Sequence, residues 1–474
     1  MKLRHTVAAV LLLQQGIERA IQGFSGFREL EEEIGALVRK CAAQVFAGVM
    51  EGLDEWLLAT RSEDLEVEGF RTKTLVTTFG ELSLKRRLYK DKTTGEWRFL
   101  LDERLGLEKG ARVSPKMREL AAELSVEVPF RRAAEILGKA VPHVSAMTVW
   151  NAAKEAGEKA RAEGRELRER VFDQGVVPGG TRKAELLNIE ADGVLVGAQK
   201  CGKKREEIKL GVAYEGKKAK GSRVGLVERR VVAGVTKDKE FWEETSAALG
   251  EHWDLSSVKG VLIGTDGAGW GRTGVEYFDK ATYQLDKFHL KKAMREALGH
   301  DPEGYEAVAG ALMSRDREKV VEALREAGRR VSGKKRQGIR EFEVYVLGNW
   351  DGIMGNTESL GTIEGQVYHH LARRMKRQGA RWTPEGADRM ARLLAAKANG
   401  ELSKYSTPSA PTSRPVSGMQ MIASTENIDH LDRKAEEIGA WLRARVPALQ
   451  GPYQGRGFIK HVLRQIVLAT ECGL

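Results

Sequence analysis

The 474-residue chain predicts an α/β core with a helical insertion, preceded by a mainly helical region and a small β region. Three observations lead there. Residues 181–300 alternate apolar strands with helical stretches, the early strands joined by connections short enough only for antiparallel neighbours. Residues 301–350 are helical in period, with Val320, Val321, Leu324 and Ala327 at helical steps and a basic run Lys334-Lys-Arg336. Residues 1–180 are helical at both ends, interrupted once by alternating β-branched sequence.

Length and charge bound the possibilities. A chain of 474 residues exceeds the usual single domain and has ample core for an enzyme. Its 78 Lys plus Arg against 67 Asp plus Glu leave a net charge of +11, which favours a polyanionic partner, nucleic acid foremost. Hydrophobic residues at 41% and charged residues at 31% exclude a disordered chain. No apolar run approaches the roughly 20 residues of a membrane span. Met1 to Leu13 has the look of a short signal segment, but Gln14, Gln15, Glu18 and Arg19 follow without a small-x-small cleavage site. Cys41, Cys201 and Cys472 are odd in number and far apart, which excludes a disulfide framework and a Cys-x-x-Cys zinc site. A cytoplasmic protein, held at the nucleoid through DNA, is the expectation.

Taken in order, residues 1–64 form an N-terminal helical region, in which apolar positions from Leu30 to Leu57 place one helix over Phe27 to Thr60. Residues 65–110 read as a small antiparallel sheet, broken at Gly80 and at Thr94-Gly95. Its Lys85-Arg86-Arg87 with Tyr89 suits either phosphate contact or a solvated strand edge. Residues 111–180 return to helix. Pro129 to Gly138, a break through Pro142, and a second helix opening at Ser145 have the form of a helix-turn-helix, and equally of an ordinary helical hairpin. As a DNA reader it would place Ser145 and Thr148 at the groove and Arg131 and Arg132 on phosphates.

The core spans 181–300 and 351–400, on either side of the 301–350 insertion. Strands are predicted at Ala184 to Ala198, Ile208 to Tyr214 and Val224 to Val235, with Glu215 to Ser222 as a polar turn; Lys239 to Trp253 is helical; Val258 to Thr265 and Thr282 to Leu285 are strands. This β-β-β-α-β-α-β order is that of a ribonuclease-H-like fold. Asp192-Gly193 lies inside the first of these strands or at the end of its apolar run, Asp266-Gly267 follows the fourth, and in that order of elements the two aspartates converge. Magnesium, with manganese as its substitute, binds few protein carboxylates and takes its other ligands from water and phosphates, so such a pair suits phosphodiester chemistry. A single Asp-Gly is more simply a turn.

A third carboxylate is sought in Asn356 to Met375. Glu364 shares a helix face with Val367 and Leu371 and would point inward with them, whereas Glu358 suits a first-turn or capping position. The same helix is expected to run on through Arg373, Arg374, Lys376 and Arg377 to Arg381 and Trp382, a cluster suited to phosphates or to a solvated face. Residues 401–418, rich in Ser, Thr and Pro, read as a linker, and 419–474 as a C-terminal helical tail whose arginines are candidates for DNA contact.

The segments Ile189-Glu-Ala-Asp-Gly193, Thr265-Asp-Gly-Ala-Gly-Trp270, Leu285-Asp-Lys-Phe-His-Leu290 and Glu364-Gly365, in this order, resemble the ISLre-type bacterial insertion-sequence transposases. These are DDE enzymes related to the Mutator-like class. Leu53-Asp-Glu-Trp-Leu57, Lys85 to Asp91 and Pro447 to Gly451 extend the resemblance over nearly the whole chain. The resemblance implies a ribonuclease-H-like core whose metal triad is Asp192, Asp266 and Glu364. It also implies a helical insertion between the second and third ligands, and an oligomer assembled on DNA. His289, in Asp286-Lys-Phe-His289, matches a family motif and would orient a phosphate or steady the flanking strand; a packed structural histidine fits equally.

The expected function is that of a DNA transposase: it binds the terminal inverted repeats of an insertion sequence, and target DNA, and carries out two-metal-ion strand cleavage and transfer. The alternatives are a structure-selective nuclease on the same core and a non-catalytic DNA-binding protein derived from a transposase.

Overall fold

The structure, a computed structural model, describes residues 3–407 except 24, 200, 201, 203, 222, 356–359 and 378. Glu358, Cys201, Cys472, the linker beyond Thr407 and the tail expected over 419–474 therefore lie outside the described residues. The chain divides into two compact units, one holding residues 1–75 and 79–111, the other 76–78 and 112–409.

The first unit opens with α1 (Leu3–Gly23) and α2 (Phe27–Thr60), which pack on each other. A sheet follows in the order β1 (Leu65–Thr77), β2 (Gly80–Asp91), β3 (Trp97–Arg98), closed by α3 (Leu100–Leu105). Ala47 and Met50 of α2 meet Leu75, Leu82 and Leu84 of the sheet in one apolar cluster. Arg86 and Arg87 are neither a solvated edge nor offered to phosphate. Arg86 pairs with Asp102 at 2.5 Å, which also holds Lys73 at 3.0 Å, and Arg87 pairs with Asp54 at 2.6 Å. With all of these side chains nearly buried, the two arginines are part of the unit's interior, while Lys85 beside them is exposed.

The second unit begins with α4 (Pro115–Glu127), α5 (Phe130–Ala140) and α6 (Ala146–Phe172). Ser114 and Ser145 cap α4 and α6 by accepting backbone N–H groups of Met117 and Thr148. The strands β4 (Leu186–Ala198), β5 (Arg205–Tyr214), β6 (Gly216–Lys220), β7 (Arg223–Val227) and β8 (Arg230–Gly234) follow, then α7 (Asp238–Gly250), β9 (Gly260–Thr265), the short α8 (Gly269–Arg272) and β10 (Ala281–Leu285). The main sheet runs β10-β9-β4-β5-β8, with β10, β9 and β4 parallel and β5 antiparallel to both its neighbours.

Two strand expectations need correction. Glu215 to Ser222 is no simple turn, because β6 and β7 pair antiparallel as a separate two-stranded ribbon. The strand expected over Val224 to Val235 breaks in two where Glu228 takes φ 49°, which frees β8 to join β5.

Along β4 the side chains alternate between two cores. Leu187, Ile189 and Ala191 face a cluster with Phe241 and Trp242 of α7, while Val194 and Val196 join the larger cluster that includes α4, α5 and α6. After β10 come α9 (Lys287–Leu298), α10 (Pro302–Met313), α11 (Arg317–Arg329), α12 (Gly333–Gly348) and α13 (Trp350–Met354), which build a third core around Leu298, Val320, Leu324 and Val346.

The chain returns through α14 (Ile363–Val367), a π-helical turn (Tyr368–Ala372), α15 (Arg373–Met375), β11 (Arg381–Trp382), α16 (Pro384–Ala398) and α17 (Leu402–Ser406). The single helix expected from Glu364 to Trp382 thus stops at Met375. Arg381 and Trp382 instead pair with Gly197 and Ala198 of β4. Because α17 occupies Leu402–Ser406, the linker expected from residue 401 starts no earlier than Thr407. No helix among the described residues is long and apolar enough to cross a membrane.

Candidate metal centre

The parallel pairing of β4 and β9 sets Ala191 opposite Thr265, so the next residues, Asp192 and Asp266, stand side by side. Only β9 ends at its aspartate. Asp192 stays inside β4, opposite Leu210 of β5, and the strand continues for six more residues to Ala198, so of the two expected placings, inside the strand or at its end, the first holds. Beyond Asp266 the loop requires a glycine: Gly267 takes φ 95°, and a Cβ there would lie 2.9 Å from Tyr345 and 3.0 Å from Asn349. Tyr345 of α12 donates its hydroxyl to the Asp266 carbonyl at 2.7 Å, so the insertion holds this loop in place.

Glu364 arrives from far along the chain, and its position is set by Glu190. That carboxylate is 1% exposed. It accepts the N–H groups of Gly361, Thr362 and Ile363 at 2.8, 2.9 and 3.2 Å, the Thr362 hydroxyl at 2.5 Å and the Tyr214 hydroxyl at 2.6 Å. A strand residue is thereby tied to the first turn of α14, which presents Glu364 next to it. Leu360 reinforces the joint by occupying the space a Cβ would take at Gly264 of β9, 2.4 Å away.

His289 enters from α9. Asp286 caps that helix through the Phe288 N–H at 2.8 Å and faces His289 Nδ1 at 3.2 Å, while His289 Nε2 lies 3.4 Å from Glu364 Oε1. One ligand atom each from Asp192, His289 and Glu364 falls within 4.8 Å of the others. This group takes in two of the three carboxylates expected from the resemblance and adds His289. Asp266 adjoins it from the neighbouring strand, its carboxylate accepting the Ala268 N–H at 2.9 Å.

The electrostatics are those of a cluster short of positive charge. Burial, and then the Asp266 charge, push the Asp192 carboxyl up to about 6, against one hydrogen bond from the adjacent Gly193 N–H. The hydrogen bond to Asp286, followed by its charge and those of Asp192 and Asp266, raises His289 above the usual imidazole range despite burial. Such a donor set fits a hard divalent cation: carboxylates suit magnesium, and the imidazole makes manganese equally suitable. Asp286 behind His289 is the pairing that fixes a ligating imidazole's orientation.

The expected DNA contacts divide into two kinds. Arg131, Arg132, Arg373 and Arg377 are exposed; Arg132 pairs with Glu135 at 2.8 Å, and Arg377 reaches the Tyr368 hydroxyl. Ser145 and Thr148 lie on α6, but their hydroxyls meet each other at 3.1 Å and Ser145 caps the helix. Arg374 is half-buried. It packs its guanidinium against Phe130 and Trp382 at 5.2 and 5.3 Å and donates to the Ser125 carbonyl at 2.8 Å. Burial alone brings it down to about 10. Glu190, Tyr214 and Tyr345 had no role in the sequence reading. The usable signal was Glu190 itself, a carboxylate set in an apolar strand, which must find donors somewhere.

Residues 19–407, the span that carries every one of these side chains, match the uncharacterised protein family UPF0236. Similar chains include two UPF0236 proteins of Caldanaerobacter subterraneus subsp. tengcongensis, whose printed names join eleven and four locus designations. Each is 27% identical over 381 residues, covering 78% of both chains. A UPF0236 protein in the vanSb 3' region of Streptococcus gallolyticus is 27% identical over 403 residues, covering 81% of this chain and 85% of its own. With most of its length matched in this way, the chain belongs to the UPF0236 family.

Proposed function

We propose that this protein is a metal-dependent DNA transposase of the ISLre type, with a ribonuclease-H-like core that binds element ends and cleaves and joins strands. The observation that carries the reading is the convergence of Asp192, Glu364 and His289 within 4.8 Å, with Asp266 on the adjoining parallel strand. The strand order, with a helical insertion between Asp266 and Glu364, supports the same core. Net charge +11 supports a DNA partner. A name joining eleven loci of one organism fits one product encoded at many places, the pattern a self-copying DNA segment leaves. That favours a transposase over a nuclease on the same core.

In this reading Asp192, Asp266 and Glu364, with the His289 imidazole as a further donor, would hold magnesium or manganese, which when bound supplies Lewis-acid activation of the attacking and leaving oxygens of a phosphodiester. The chain's own groups do the rest. Asp192 gives up its proton to become a ligand. Asp286 keeps the His289 imidazole turned toward Glu364. Tyr345 fixes the Asp266 backbone, and Glu190 fixes the turn that carries Glu364, so the carboxylates are preorganised by groups that never touch substrate.

The test is a strand-transfer assay with labelled element ends and the full-length protein. Wild type is expected to give joined product in magnesium or manganese. Asp192→Ala and Glu364→Ala should give none while retaining end binding. Cleavage without joining would support the nuclease instead, and equal product from Asp192→Ala would overturn the reading.

A further inference from the structure

Beside α5 and the start of α6 lies a cavity of about 440 Å³ whose walls are aromatic and whose charged side chains are all cationic. Phe130 and Trp382 meet edge to face at 6.3 Å and form a fixed floor, with the Arg374 guanidinium against both rings. Trp150 of α6 forms another wall and is 39% exposed, and Lys154, one turn on, holds its ammonium 5.3 Å from that ring. Arg381 and Arg389 complete the cationic lining, Arg389 being paired at 2.7 Å with Glu158, which lies outside it; no Asp or Glu lines the space. Another cavity near the sheet is different in kind, since its Arg392 and Arg230 are matched by Glu244 and Glu401. Pairing within the lining there makes a structural site, whereas at the Trp150 cavity Arg389 alone is ion-paired among the described residues, which leaves Lys154 and Arg381 as excess positive charge around flat apolar surfaces.

We infer that this cavity binds an unstacked nucleobase, with Lys154 and Arg381 meeting the phosphates on either side of it. The class of ligand follows from the two features together, because aromatic faces stack any base and cations track the backbone. Volume is adequate for a base and its sugar. Position is consistent as well: Trp382 pairs with Ala198, six residues along β4 from Asp192, or about 20 Å at the rise of a strand. The pocket is therefore within reach of a strand of a few nucleotides held at the metal centre. The inference rests on the DNA reading and changes one part of it, since the exposed start of α6 holds a base out of the duplex instead of reading a groove.

The experiment compares two probes by fluorescence anisotropy with the full-length protein: an oligothymidylate of about twelve nucleotides, and a chain of equal length and charge built of abasic sugars. Wild type is expected to prefer the thymidylate by roughly tenfold. Trp150→Ala should bind both probes alike, Trp150→Phe should keep most of the preference, and Lys154→Ala should weaken both. A 5-iodouracil version of the oligonucleotide should photocrosslink at Trp150, which reads the site without any substitution. Equal binding of the two probes by wild type, a preference that survives in Trp150→Ala, or a crosslink confined to other regions overturns the pocket. Absence of binding to either probe overturns the DNA reading along with it. A base preference without strand transfer leaves the pocket standing and overturns only the transposase.

Discussion

Glu190 and Asp192 are two residues apart on the same strand and face the same side of the sheet, yet they are treated in opposite ways. Glu190 is sealed and accepts donors from three backbone N–H groups and two hydroxyls. Asp192 receives one hydrogen bond, from its own neighbour, and stands against a second aspartate. Both carboxylates are costly to bury, but only one is compensated by the fold. The difference separates a residue that builds the site from one left under-satisfied, as the proposed metal ligand would be.

Breaking the satisfied member should have the largest effect. Glu190→Ala leaves a buried hydroxyl and several N–H groups unpaired, and denaturant unfolding should show a loss of about 4 kcal/mol. Loss below about 1 kcal/mol would mean the clamp is not a stabilising joint.

The opposite sign is expected next door. The folded-state value of the Asp192 carboxyl lies near 6, above its ordinary 3.8, so the folded protein favours the protonated form. Its favourable contribution is complete below pH 4 and is lost as pH rises through 6, leaving an ionised, uncompensated carboxylate at pH 8. Asp192→Asn should therefore stabilise the metal-free protein by about 2 kcal/mol at pH 8 and by almost nothing at pH 4. A lower melting temperature for this variant at pH 8 would reverse the argument.

Smaller effects sharpen the contrast elsewhere. Arg374→Lys should cost about 1 kcal/mol through lost stacking on Phe130 and Trp382. Arg373→Ala should leave stability unchanged and lower the salt dependence of DNA binding by about one ion; equal salt effects from the two would mean that Arg374 meets a phosphate directly instead of backing the aromatic floor. Smallest in energy, Asp286→Asn should bring the His289 titration down toward its ordinary value, which proton NMR of the imidazole would follow.

How much of this was readable in advance depended on range. The helix Phe27–Thr60 was legible to its ends because its apolar period runs unbroken, and Asp192 and Asp266 stood out as carboxylates beside glycines in apolar strands. The β6–β7 ribbon was not legible, since Gly216-Lys-Lys-Ala-Lys220 has no apolar alternation to mark a strand. Gly193 suggested a turn, but pairing with Lys209 keeps it in the sheet. Glu190 meets donors at Gly361 to Ile363, about as far from it in sequence as any contact in the site, and no local pattern announces such a joint. Arg374 looked like its basic neighbours because composition cannot say which member of a cluster turns inward onto Phe130 and Trp382.

The most direct test of the central claim is the melting temperature of wild type and Asp192→Asn at pH 8 against rising manganese concentration. The account predicts that wild type, destabilised while metal-free, gains several degrees as the ion saturates, and that Asp192→Asn starts higher and does not respond. A variant that gains as much as wild type, or a wild type that does not respond, would contradict a cation site at Asp192.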